Sequence, residues 1–183
     1  MFNKKIRSLL VADVTWFFGE GLLGPLFAIF AERIGGDVLE ITWAWATYLI
    51  VMGILMVFIG RLSDKYVDRR KLLFAGYVLN AIFTFSYLLV SNPFQLLLVQ
   101  AGLGVAAAFA TPTWNAVYSE NENKKIGGLE WGMADGLSAF FSGIAIILGG
   151  LIVTYISFSA LFIIMGIIQT ISAITLIPAI RKK

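Results

Sequence analysis

Two acidic residues, Asp13 and Glu20, stand inside the first long apolar stretch of the sequence. They are seven residues apart, so a helix would place them on one face, and Trp16 shares that face because it lies four residues before Glu20. A charged side chain within hydrocarbon costs roughly 2.5–3.5 kcal/mol on insertion scales and usually faces a cavity with a function. Glu20, near the middle of the stretch, is therefore predicted to bind a proton or a solute. Asp13 equally suits an interfacial position near water.

Further polar and aromatic residues mark the fourth and fifth apolar stretches. Thr111, Trp114 and Asn115 are grouped in the fourth stretch, and Asp135 lies about a turn into the fifth. For Asp135, a role in transport and a position at the membrane interface near water are equally favoured. No lysine or arginine falls inside any stretch, which favours a neutral or cationic solute. With Trp16 and Glu20, these side chains suit an aromatic cage for an organic cation or the ring face and hydroxyls of a sugar, and the sequence leaves both open.

Most kinds of catalytic chemistry have no residues to support them. The chain contains no cysteine and no histidine, which excludes thiol and imidazole nucleophiles and the usual zinc sites. We therefore predict no enzyme, no metal and no cofactor. The net charge of +3 does not indicate nucleic acid, because the basic residues form short clusters between apolar runs rather than one continuous face.

The composition indicates that these residues are positioned by membrane-spanning helices. The 183 residues are 59% hydrophobic and only 14% charged, whereas charged residues make up about 25% of a typical soluble domain. Crossing ~30 Å of hydrocarbon takes about 20 residues. Six such spans are predicted, in an all-α membrane protein with a single six-helix bundle: Leu9–Ala31, Ile41–Gly60, Leu72–Val90, Phe94–Tyr118, Met133–Tyr155 and Ala160–Ile180.

The distribution of basic residues fixes the orientation. Every lysine and arginine except Arg33 falls on one side of the six spans, including the amino-terminal cluster, the segment between spans two and three, and the final Arg181, Lys182 and Lys183. Because basic residues concentrate in cytoplasmic loops, both termini are predicted to be cytoplasmic in a multi-pass protein of the cell (inner) membrane. Cleavage of a signal peptide is disfavoured, since the first apolar run is too long and contains acids.

The segment between spans two and three carries a recognisable motif. It matches the pattern Gly-x-Leu-Ala/Ser-Asp-Arg/Lys that continues to a pair of basic residues, and the matching positions are Gly60, Leu62, Ser63, Asp64, Lys65 and Arg69. In location, orientation and span count the whole chain resembles the amino-terminal half of a major facilitator superfamily transporter. The resemblance implies two inverted three-helix repeats and a solute site near the membrane midplane between two halves.

A half-size chain of this kind is expected to pair with a second half. The resemblance therefore implies a homodimeric secondary transporter that works by alternating access, with protons as a possible coupling ion through Glu20. A fragment of a twelve-span transporter and a membrane scaffold or subunit without transport are the alternatives. The acids of span one count against the scaffold, because a scaffold gains nothing from an acid in lipid.

The resemblance also assigns roles to the motif and to two rows of small residues. Asp64 is expected to pair with a helix end or a base of the neighbouring half and to hold the outward-facing state, with a local salt bridge as the alternative. Small residues at seven-residue spacing share one helix face and allow close helix packing in lipid. Two such rows are predicted to form the interface between halves. One consists of Ala46, Gly53 and Gly60 on span two, and the other of Gly136, Gly143 and Gly150 on span five.

Overall fold

The computed structural model describes residues 3–65 and 67–180. Tyr66 of the motif segment and the basic cluster Arg181, Lys182 and Lys183 lie outside the described residues. The chain forms seven α-helices and a short 3-10 turn within the described part: α1 (Lys4–Leu23), α2 (Leu26–Arg33), α3 (Val38–Lys65), α4 (Arg69–Ser86), the turn Tyr87–Leu89, α5 (Pro93–Asn121), α6 (Gly127–Tyr155) and α7 (Phe158–Ile180).

The helices supply six membrane spans when one bent pair is counted as a single span. The helices α3, α5, α6 and α7, and α4 together with its 3-10 turn, are each long and apolar enough to cross a bilayer. The remaining span is α1 followed by α2, which meet at an angle of 48°. Gly24 adopts φ +25 at the break, and Pro25 follows it without a backbone N–H. The span predicted as the continuous segment Leu9–Ala31 is therefore broken into two helices.

Several helices extend beyond the apolar stretches from which they were predicted. The second span continues as α3 to Lys65, and α4 begins at Arg69, where the side chain of Asp68 accepts a hydrogen bond from the Arg70 N–H. The fifth span begins as α6 at Gly127, six residues before the apolar stretch. Hydropathy marks only the part of a helix that lies in hydrocarbon, so polar end turns escape it.

The helix packing has an internal two-fold pattern. The helix α1 packs on α6 and α7, α5 packs on α3 and α4, and α4 packs on α7. Exchanging the first three spans for the last three leaves this set of neighbours unchanged. Because successive spans run in opposite directions, the second repeat is inverted relative to the first. The chain therefore has the predicted architecture of two inverted three-helix repeats.

Glycines at equivalent crossings of the two repeats allow close approach of the helix backbones. A Cβ added to Gly21 of α1 would lie 2.9 Å from the Ser142 carbonyl oxygen of α6. One added to Gly104 of α5 would lie 2.7 Å from the Tyr48 carbonyl oxygen of α3. Any larger residue at either position would push the two helices apart.

The two helices held by these crossings are also the most exposed. In the most apolar stretch of each helix, 11% of α3 and 17% of α6 is buried, against 44% of α4 with its turn and 44% of α7. The amino end of α1 packs on the carboxyl end of α7, where the Ser8 hydroxyl donates to the Thr175 carbonyl oxygen at 2.5 Å. Both described ends of the chain therefore lie at one end of the bundle, which we call the basic end.

Candidate solute-binding site

One cavity collects six of the seven residues that the sequence singled out for solute or proton binding. It has a volume of about 150 Å³ and lies between α1, α4, α5 and α6. The six residues are Asp13, Trp16, Thr111, Trp114, Asn115 and Asp135, and Phe17, Tyr77, Ala110 and Trp131 complete the lining. We call it the Asp13 cavity. None of these ten lining residues is basic.

The acids of the Asp13 cavity come from helices of different repeats. Asp13 of α1 accepts a hydrogen bond of 2.8 Å from the Ser138 hydroxyl of α6, so its carboxyl group has a fixed position. Asp135 lies one turn before Ser138 on α6 and is exposed to the open side of the bundle. Two acids without a basic partner create a negative potential, which attracts a cation.

Aromatic rings form most of the remaining wall. Trp16 packs edge-on against Tyr77 with 4.7 Å between the ring centroids, and Trp114 packs edge-on against Trp131 at 6.0 Å. Trp114 also stacks on Tyr118 at 4.6 Å. The indole Nε1 of Trp114 is buried without a hydrogen-bond partner. The faces of such rings carry negative potential and attract organic cations.

The sequence pattern groups Glu20 with Trp114 and Asn115. In the structure, Glu20 lines a second cavity instead. This Glu20 cavity has a volume of about 120 Å³ and is bounded by α1 to α5, the 3-10 turn and α7. Trp16 connects the two sites, because it lines the Asp13 cavity and lies one helical turn before Glu20 on the same face of α1. Tyr77 packs against Trp16, and sequence spacing within one helix does not report such a contact.

The Glu20 cavity also contains residues that sequence reasoning missed. Tyr48 and Tyr87 line it, and so does Asn80. Asn80 is 1% exposed, and its Nδ2 has no hydrogen-bond partner. Gln169 does bond between helices, since its Nε2 donates to the Trp16 carbonyl oxygen at 3.0 Å. The spacing of Tyr77, Asn80 and Thr84 on one face of α4 was the available signal.

The motif residues form a charged cluster at the basic end. Arg69 lies 2.9 Å from Glu120 of α5 and 3.6 Å from Asp64, measured between side-chain nitrogen and oxygen. The Asp64 side chain is 70% exposed, so this local pair leaves it accessible to a further partner. Gly60 and Leu62 are partly exposed, and Lys65 is exposed.

The small-residue rows lie on open surfaces of α3 and α6. A Cβ added at Gly53, Gly60, Gly136, Gly143 or Gly150 would have no other atom within 4 Å, and Ala46 is partly exposed. Gly149 differs from its neighbour Gly150, because it packs against the backbone of Leu22 on α1. The open glycines are therefore not needed for packing among the described residues.

Comparison with known proteins identifies the family. The major facilitator superfamily matches residues 9–183. The MFS-type transporter MJ1560 of Methanocaldococcus jannaschii is 23% identical over 172 residues, which cover 94% of this chain and 44% of that protein. The proton-coupled antiporter flippase LtaA of Staphylococcus saprophyticus is 26% identical over 136 residues, covering 73% of this chain and 34% of LtaA.

A third relative is similar in length to this chain. The MFS-type transporter YitZ of Bacillus subtilis is 23% identical over 163 residues, which cover 86% of this chain and 96% of YitZ. By contrast, the chain spans less than half the length of MJ1560 and of LtaA. Among the described residues, no group of three or more acids could hold a metal ion. The family match over nearly the whole sequence agrees with the helical architecture and the motif, and the chain belongs to the major facilitator superfamily.

Proposed function

We propose that the protein is one half of a secondary transporter that carries a small organic cation across the cell membrane by alternating access. The observation that supports this most directly is the Asp13 cavity, in which two carboxyl groups and several aromatic rings face a space without a basic side chain. A cation gains from both the negative charge and the ring faces. A neutral solute such as a sugar gains only the ring faces and hydrogen bonds.

The transport experiment uses purified protein in liposomes. We expect uptake of ethidium, a monovalent organic cation, to exceed that of protein-free liposomes and to be inhibited by other organic cations but not by glucose. The variant Glu32→Gln, which removes an exposed acid outside both cavities, is the matched control and should retain uptake. Uptake of glucose without uptake of ethidium would refute the cationic solute, and uptake of neither would favour a scaffold.

The second half of the transporter is, in the simplest case, another copy of this chain. The largely exposed helices α3 and α6 and their open glycines offer a surface on which a partner bundle can approach closely. YitZ, at nearly the same length, gives a precedent for a half-size relative. With both termini cytoplasmic, two copies related by an axis along the membrane normal would enclose the cavities between them.

Cross-linking tests this assembly in a background that contains no cysteine. The double variant Gly53→Cys and Gly143→Cys, with one cysteine on α3 and one on α6, should form disulfide-linked dimers in the membrane if α3 of one copy packs on α6 of the other. Cysteine at Ile82, an exposed residue of α4 outside the proposed interface, is the control and should not. Uptake by a particle that remains monomeric by mass in nanodiscs would contradict the homodimer.

We further propose that Glu20 couples transport to protons. Its carboxyl group lies within a membrane span, and no basic residue lines its cavity, so a proton is a natural partner in the absence of solute. LtaA is named as a proton-coupled antiporter. Glu20→Gln preserves size and hydrogen bonding but cannot titrate. Accumulation driven by a pH gradient should then fail while solute exchange survives. If accumulation is unchanged, Asp13 or Asp135 is the coupling residue.

A further inference from the structure

The two cavities are arranged in sequence along one helix. Asp13 and Glu20 are seven residues apart on the same face of α1 and each lines its own cavity. At ~1.5 Å of rise per residue, the two positions are about 10 Å apart along the helix axis. The Asp13 cavity lies nearer the basic end, because α1 begins there.

Trp16 lies at the boundary between the two cavities, within about one helical turn of both Asp13 and Glu20. It lines the Asp13 cavity, lies one helical turn before Glu20 on α1, and packs edge-on against Tyr77. Tyr77 in turn is 2% exposed and lines the Asp13 cavity beside Trp16. The pair Trp16 and Tyr77 therefore forms an aromatic surface that reaches from one acid toward the other.

Each cavity also contains a buried polar atom that lacks a partner. In the Glu20 cavity it is the amide nitrogen of Asn80, a residue that is 1% exposed. In the Asp13 cavity it is the indole nitrogen of Trp114, a residue that is 8% exposed. A buried polar group without a hydrogen bond is costly, so both positions indicate a missing partner. The Trp114 indole can only donate, so its partner is water or another acceptor rather than an ammonium group. Rotation of the Asn80 amide can present its oxygen to a cationic ligand.

We propose that the two cavities together bind one elongated solute with two terminal ammonium groups, a linear diamine or polyamine. One ammonium group pairs with Asp13 and the other with Glu20, while the methylene chain between them lies against Trp16 and Tyr77. This proposal rests on the proposed transport of organic cations and specifies the class of solute. It also accounts for acids in both cavities, which a small monovalent cation does not require.

The spacing of Asp13 and Glu20 along the axis of α1 predicts the length of the solute. An extended chain advances about 1.2 Å per bond, as a peptide does with three bonds per residue. A separation of about 10 Å thus corresponds to roughly eight bonds between the two nitrogens, or about seven methylene groups. Shorter diamines reach one acid only, and longer ones must fold. Once one end is bound, the second end experiences a high effective concentration of its acid, so the matched length should bind best.

The experiment measures binding as a function of chain length. Purified protein in nanodiscs is titrated with α,ω-diaminoalkanes of three, five, seven and ten methylene groups and with heptylamine, and empty nanodiscs give the background for lipid partitioning. We expect an affinity maximum near seven methylenes, with one diamine bound per chain. The seven-carbon diamine should bind at least about tenfold more tightly than heptylamine, as expected for one additional charged hydrogen bond.

Two variants decide whether Glu20 supplies the second contact. In Glu20→Gln, the seven-carbon diamine should bind no more tightly than heptylamine binds to the same variant, because both can then pair with Asp13 alone. The control Glu32→Gln should keep the length dependence. Equal affinities for all chain lengths, two diamines bound per chain, or an unchanged maximum in Glu20→Gln would each overturn the two-ended solute. In those cases monoamine binding at Asp13 would still support the proposed function, whereas absence of binding by every amine would remove it.

Discussion

Replacing Asp13 by asparagine isolates the contribution of charge to solute binding. The two side chains have the same shape, and an asparagine oxygen can still accept the hydrogen bond that the Ser138 hydroxyl donates at 2.8 Å. The helix contacts of α1 therefore remain, and only the carboxylate charge is lost. An organic cation in the Asp13 cavity should then lose its closest counter-charge, while a neutral solute should be little affected.

The size of the effect follows from the environment of the carboxyl group. Hydrogen bonds to charged groups contribute about 1.5–3 kcal/mol, and every 1.4 kcal/mol is a factor of about ten in affinity. Because Asp135 stays in the cavity and retains part of the negative potential, the lower part of this range applies. We expect the affinity for a monovalent organic cation to fall by about tenfold to thirtyfold.

Equilibrium dialysis in nanodiscs with radiolabelled heptylamine, whose ammonium group donates hydrogen bonds, measures this change without relying on the fluorescence of the lining tryptophans, and empty nanodiscs give the lipid background. Ser138→Ala is the matched variant, because it removes the hydrogen bond and keeps the charge, and its affinity should fall by less than that of Asp13→Asn. An Asp13→Asn protein that binds the cation as tightly as wild type would refute the assignment of the cavity as a cation site. A larger loss in Ser138→Ala would show that side-chain position matters more than charge.

Three further changes test the gate and the packing. Asp64→Asn should increase labelling of the cavities from the basic end if the exposed carboxylate pairs with the second half, and unchanged labelling with intact uptake would leave it a surface charge. Gly104→Val should lower the free energy of unfolding in detergent by about 1–3 kcal/mol through overpacking, whereas Gly136→Val, which faces open space, should not. Tyr118→Phe removes the hydroxyl that donates to the Glu130 carbonyl oxygen at 2.8 Å and should lower the unfolding temperature by an amount equivalent to about 1 kcal/mol.

Local spacing predicted which residues face the site, but not how the site is divided. The intervals from Asp13 to Trp16 and Glu20 are properties of a single helix, so their shared face follows directly from helical periodicity. The division into two cavities depends on Tyr77, which α4 brings against Trp16 from sixty residues away in sequence. The break at Gly24 and Pro25 was readable in principle, because a glycine followed by proline is a strong breaker of helices, but hydropathy alone continues through it.

Exposed apolar surface on α3 and α6 does not by itself require a partner, since lipid chains satisfy it as well as another helix does. The polar residues on the open side give the stronger argument. Asp135, Thr111 and Asn115 are all exposed, and Asp135 lies within the helix α6 that is long enough to span the membrane. A carboxylate facing hydrocarbon costs roughly 2.5–3.5 kcal/mol at the centre of a span and less toward its end, where Asp135 lies, and the exposed amide and hydroxyl add to that cost. A second bundle that closes over this side replaces lipid with a water-filled or solute-filled cavity and removes the penalty.

The proposed dimer is therefore favoured by the polar groups of the transport site itself, and replacing Asp135 and Asn115 together by leucine should increase the fraction of monomer that survives in nanodiscs. If the double variant dimerises as strongly as wild type, packing of the glycine rows rather than shelter of the polar site holds the halves together.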